Sequence, residues 1–111
     1  FMRQLEAAFD AFARHEQRLQ KLRLRPSDYV RRQVRVTPFP TEPTKWIIQN
    51  TGEEICMFSS DFPHVEGGRN PLRRFDSEVA NLSGEVQDRI FRRNFEDQMG
   101  RGMSKLISTK G

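Results

Sequence analysis

Residues 55–64, Ile-Cys-Met-Phe-Ser-Ser-Asp-Phe-Pro-His, constrain the chain more than any other stretch. A short apolar run ends in a carboxylate, a proline and an imidazole. Bounded by Gly52 and Pro63, such a run predicts a strand covered on both faces, as in a parallel sheet. Parallel sheets carry their functional groups at the carboxyl ends of the strands. Asp61 stands at that end, either as a functional carboxylate on an open rim or as the cap of the next turn.

The remaining bulk properties narrow the setting. The 111 residues suffice for one small domain. Nineteen Lys and Arg against fifteen Asp and Glu give a net charge of +4. Arginines crowd positions 14 to 35, but acids are interspersed elsewhere, which argues against a nucleic-acid surface. The lone cysteine, Cys56, cannot form an internal disulfide and suits a reducing compartment, so a cytoplasmic setting is expected. Its apolar neighbours mark it as core filler rather than a nucleophile. No apolar run approaches the roughly 18 residues of a membrane span. The chain opens at Phe1 directly into a helical pattern, so an N-terminal portion is expected to be missing.

Taken in order, residues 2–22 predict an amphipathic helix on Leu5, Ala8, Phe9, Phe12, Leu19 and Leu22. His15 lies off that stripe, where solvation is its expected state. Pro26 breaks the pattern, and Ser27 or Asp28 caps a short turn. Val34 to Phe39, rich in β-branched residues, predicts a strand whose length Pro38 limits. Arg35 within it is an edge charge or a side chain aimed into a site. Lys45–Gln49 reads as a short helix closed by Gly52, and Ile55–Ser60 as the second strand. Strand, helix and strand within about 30 residues make a βαβ unit. Val65 to Pro71 is a loop, and Pro71 to Phe75 begins a helical turn. Ser83 caps a final helix with a stripe of Leu82, Val86, Ile90, Phe91, Phe95 and Met99. Residues 101–111 read as a polar tail.

Two parallel strands do not make a stable sheet, so the pattern implies part of a larger α/β body. Several segments carry a family likeness. Phe58 to His64 resembles the "SD(Y/F)PH" segment of the amidohydrolase-related metal-dependent hydrolases, a family that includes aminocarboxymuconate-semialdehyde decarboxylase and related carboxy-lyases. Arg25 to Tyr29 with Arg31, Arg32 and Gln33 resembles the "PSEYFRRQ" lead-in to the penultimate strand. Leu82 to Ile90 with Asn94 resembles the closing "LSEEDREKILxxNA" helix, with Phe95 in place of a small residue.

The resemblance implies an α/β fold: residues 33–100 as the last two βα units, strands seven and eight, of a (β/α)8 TIM-type barrel, preceded by a helix over 1–24. It implies Asp61 as a catalytic carboxylate and ligand of a divalent metal, zinc or else manganese, and His64 as a substrate contact. The implied reaction is hydrolysis of a C–N, C–O or C–C bond of a small molecule, or nonoxidative decarboxylation by a carboxy-lyase of the same kind. The family's other metal ligands are histidines, including an H-x-H pair. This chain has only His15 and His64, so it is expected to be inactive alone and to need the missing N-terminal part of the barrel; a homo-oligomer is a separate expectation, since unpaired strand edges invite association. The rival is a noncatalytic basic interaction or RNA-binding module built on Arg23, Arg25, Arg31, Arg32 and Arg35.

Overall fold

The computed structural model describes residues 1–100, which leaves the tail expected over 101–111 outside the described residues. The chain forms two compact units, Phe1–Val34 and the segment from Arg35 onward. No helix among the described residues is long and apolar enough to cross a membrane.

The first unit holds three helices: α1 (Met2–Phe12), α2 (Gln17–Gln20) and α3 (Pro26–Gln33). The single helix expected over 2–22 is therefore two. The chain turns after Ala13, where the Gln20 amide donates to the Ala13 carbonyl (2.8 Å) and the Glu16 carboxylate caps α2 at the Arg18 N–H (3.1 Å). Pro26 starts a helix rather than only ending one. It stands at the first helical position, where a missing N–H costs nothing. Polar contacts tie α1 to α3. Glu6 accepts from the Ser27 N–H at 2.7 Å and pairs with Arg25, which also reaches Asp10 at 2.7 Å and lies over the Phe9 ring.

The second unit holds α4 (Thr44–Thr51), a 3-10 turn (Val65–Gly67), α5 (Pro71–Val79) and a closing helix in three parts. These are α6 (Gly84–Asp88), a π-helical turn (Arg89–Arg93) and α7 (Asn94–Met99). Ser83 caps α6 by accepting from the Val86 N–H at 3.3 Å, and Asn70 caps α5 through Arg73 N–H at 3.3 Å. Ile48, Cys56, Val79 and Ile90 form the core, with Ile47, Phe58, Leu82, Val86 and Phe91 packed against it. Phe58 meets Phe75 edge to face at 5.3 Å and Phe91 at 5.6 Å, the preferred geometry for ring quadrupoles.

The expected βα units of a barrel are absent: the described residues contain no strand, and the fold is helical. The two predicted strands touch through one isolated parallel bridge, Val36 to Cys56. Val36 N–H donates to Ile55 O at 2.9 Å and Met57 N–H to Val36 O at 2.8 Å. The pairing stops there for physical reasons. Pro38 has no N–H to offer the next rung. Beyond Met57, the closing helix takes over the backbone partners: Phe58 N–H donates to Ile90 O at 2.9 Å, and the Asn94 amide donates to Cys56 O at 2.8 Å and Glu53 O at 2.7 Å. The same region that predicts a two-sided strand is thus a segment held against a helix, buried at Ile55 and Cys56 and partly or fully exposed from Met57 to Ser60.

Asn94 is fully buried, four residues after Ile90 and on the same inward face. Phe95 and Met99, assigned to the apolar stripe from sequence, are instead largely exposed. Replacing Asn94 by Ala strands two inward carbonyls, and each such loss costs about 1–3 kcal/mol. A urea unfolding series on Asn94→Ala is therefore expected to show a loss of roughly 3 kcal/mol; an unchanged midpoint would mean that water satisfies these carbonyls.

In the first unit, the Ser27 hydroxyl and N–H, joined by Arg25, hold the Glu6 carboxyl down to about 2 from its ordinary 4.5. A depressed carboxylate contributes stability above its unfolded value and loses it as pH falls toward the folded one. The α1–α3 contact is expected to weaken between about pH 4.5 and 2. Glu6→Gln should flatten that window in an acid titration followed by helix signal.

Candidate functional site

The candidate site is the turn that follows the 55–60 segment. Asp61 adopts a left-handed backbone conformation, with φ of 53°, which non-glycine residues rarely occupy and Asp tolerates better than most. Local hydrogen bonds support it. The Ser59 hydroxyl accepts from Asp61 N–H at 3.2 Å, and the Ser60 hydroxyl from Phe62 N–H at 3.3 Å. Asp61 O accepts from His64 N–H at 2.7 Å, and the chain continues into the 3-10 turn with Gly67 N–H donating to His64 O at 3.2 Å.

Gly67 closes the turn. It is buried, and a Cβ placed there would lie 2.2 Å from Ser60 O and 3.3 Å from Asp61 Cβ. The first distance is far inside contact range and involves backbone, so only glycine permits this approach. The turn is pressed onto the Ser60–Asp61 peptide and holds Asp61 half-buried while His64, Phe62 and Val65 stay exposed.

The structure brings Asp61 and His64, both singled out from sequence, onto one hydrogen-bonded turn. It places nothing else of the expected metal chemistry beside them. Among the described residues no group of three or more His, Cys, Asp and Glu side chains is arranged to hold a metal ion. A zinc or manganese site of the expected kind needs three or more protein donors, so residues 1–100 do not fit one by themselves. The expectation of a metal-binding TIM-barrel hydrolase is corrected on both counts, since neither the barrel nor a complete metal site is present among the described residues. His15 sits in the turn after α1, its N–H donating to Phe12 O at 3.1 Å.

Cys56 is fully buried, and burial pushes its thiol up to about 11. A thiol held that high carries almost no thiolate at neutral pH and is not a nucleophile. Three arginines of the rival basic module are occupied. Arg25 is paired with Glu6 and Asp10, Arg31 with Asp28 at 3.3 Å, and Arg32 stacks on Tyr29. Sequence reasoning missed Gly67, which reads as a routine loop glycine within Gly67-Gly68. It also counted Asn94 only within a likeness; an amide flanked by Ile90, Phe91 and Phe95 was the available signal of an inward polar anchor.

No protein-family model, no curated protein and no solved structure matches the chain.

Gly67→Ala is expected to push the turn off Ser60, at a cost of about 1–3 kcal/mol. Amide hydrogen exchange at His64 and Gly67 reports it: both amides should lose protection. Retained protection at both would show that the backbone relaxes without releasing Asp61.

Proposed function

We propose that this chain contributes the Asp61 carboxylate, as a general base, to an enzyme site for hydrolysis or nonoxidative decarboxylation of a small molecule. Groups supplied from outside residues 1–100 complete that site. The observation that carries the reading is the conformation of Asp61. A carboxylate in a left-handed backbone state stands at the end of a segment that is buried at Ile55 and Cys56 and emerges to an exposed Ser60, and a buried glycine presses against the preceding peptide. Uncommon backbone conformations persist only where their surroundings over-determine them, and they concentrate at functional sites.

Asp61 then takes a proton from a water or from the substrate as the bond to the reacting carbon forms or breaks. His64 flanks it on the same turn and contacts the substrate. Its imidazole is exposed, so it is open to a ligand from solvent. The resemblance of Phe58–His64 to the "SD(Y/F)PH" segment of amidohydrolase-related enzymes supports the same assignment. The occupied state of Arg25, Arg31 and Arg32 weighs against the basic interaction module.

Asp61→Asn keeps size and removes the charge and most of the basicity. In the completed protein, assayed on a panel of amides, lactones and aromatic carboxylic acids, it is expected to lower turnover about a hundredfold or more while the melting temperature holds. A capping aspartate behaves in the opposite way, losing about 1 kcal/mol of stability and keeping its rate per folded molecule. Full activity in a less stable variant would remove Asp61 from the chemistry.

A further inference from the structure

Two arginines of α5 contrast with those of the closing helix. Arg92 is held by Asp88 at 2.8 Å and Glu96 at 2.9 Å, and Arg93 by Asp88 at 2.6 Å. Arg73 and Arg74 have no carboxylate partner among the described residues. Arg74 and Glu78 stand four apart, the spacing at which Arg92 closes on Glu96. Arg74 instead turns back along the chain, its Nη1 3.9 Å from where a Cβ on Gly68 would lie, the direction in which helical side chains lean. Arg73 lies in the first turn of α5, where the helix dipole disfavours a positive charge. The stability of the helix therefore explains neither placement. Both arginines line a surface hollow of about 390 Å³, together with Pro40, Ser77 and Glu78. Small-molecule sites run from roughly 300 to 1,000 Å³. The Ser77 hydroxyl donates to Arg73 O at 2.9 Å, so its hydrogen is already used and its oxygen is left to accept. The Glu78 carboxylate only accepts. Pro40, buried, adds an apolar wall without an N–H. Guanidinium donors and oxygen acceptors thus share one hollow.

We propose that this hollow binds a phosphate monoester of a small polyol. The planar fork of each guanidinium matches phosphate oxygens in bidentate fashion. Two guanidinium charges balance the charge of about −1.5 to −2 that a phosphate monoester carries near pH 7. A phosphodiester, with a single charge, would leave one of them unbalanced. Inorganic phosphate uses the arginine end alone and meets Glu78 as a like charge. The hydroxyls of a polyol body instead donate to the Glu78 carboxylate and to Ser77 Oγ, which turns that repulsion into a contact. Glu78 therefore selects the hydroxylated ester over the bare anion. This site stands apart from the chemistry assigned to Asp61 and does not depend on it.

Calorimetric titration of the whole chain with glycerol-3-phosphate, ribose-5-phosphate, ribose and inorganic phosphate tests the site. The two esters are expected to bind more tightly than inorganic phosphate, and ribose to give no signal. Arg73→Gln and Arg74→Gln are each expected to weaken the esters about tenfold or more. Arg14→Gln, an exposed arginine of the first unit, should leave them unchanged. Glu78→Gln is expected to weaken the esters and to strengthen inorganic phosphate. In the unaltered chain the amide resonances of Arg73, Arg74 and Ser77 should shift as ester is added, a readout that requires no variant to fold. Three results overturn the assignment: neither ester binding at millimolar concentration, Arg14→Gln losing as much affinity as the α5 variants, or inorganic phosphate binding as well as the esters and ignoring Glu78→Gln.

Discussion

The second unit depends on one buried side chain. The Asn94 amide donates to Glu53 O and Cys56 O, groups 41 and 38 residues away in sequence. Buried carbonyls without partners are costly, so these two bonds decide where residues 53–56 lie against the closing helix. Once they are fixed, Cys56 and Phe58, two residues apart, both turn toward Ile48, Val79 and Ile90. Arg89 reinforces the join through an ion pair of its Nε with Glu53 at 2.9 Å. Apolar burial supplies the driving force for packing, but it is non-directional; the amide supplies the alignment.

Some helix ends were legible in the sequence as a cap or a stop written in residue type, but Ser27 and Asp28, read as candidate caps, lie inside α3, which Arg25 precedes without a side-chain cap. Ser83 and Gly52 perform the roles their chemistry suggests, and α4 forms around Trp46, Ile47 and Ile48. The strands were not legible, because the apolar run at 55–60 states only that the segment is buried. It does not state what buries it. A neighbouring strand and a helix donating through Asn94 and accepting through Ile90 leave the same trace in composition. Only long-range hydrogen bonding separates the two, and sequence periodicity carries no record of it. The helix over 2–22 failed for a similar reason: Ala13, Arg14 and His15 are compatible with helix, and the break comes from side chains of Glu16 and Gln20 competing for the backbone.

The site was half legible. Asp61 and His64 stand out by residue type at the end of an apolar run. What fixes them does not stand out, because Gly67 acts through the side chain it lacks. The turn from Asp61 to Gly68 is built almost wholly from backbone bonds and serine hydroxyls. It holds Asp61 with little help from the apolar core, so the presentation of the carboxylate and the stability of the helical body are separable properties.

The π-helical turn at Arg89–Arg93 carries a different consequence. A regular helix spends its interior carbonyls on itself, whereas here Ile90 O serves the Phe58 N–H. The wider turn gives the closing helix a place to receive a bond from outside its own ladder. Helical regularity and attachment of the extended segment are thus set against each other in the same five residues. Engineering that straightens this helix for its own sake would strengthen a rod and unfasten what the rod is there to hold.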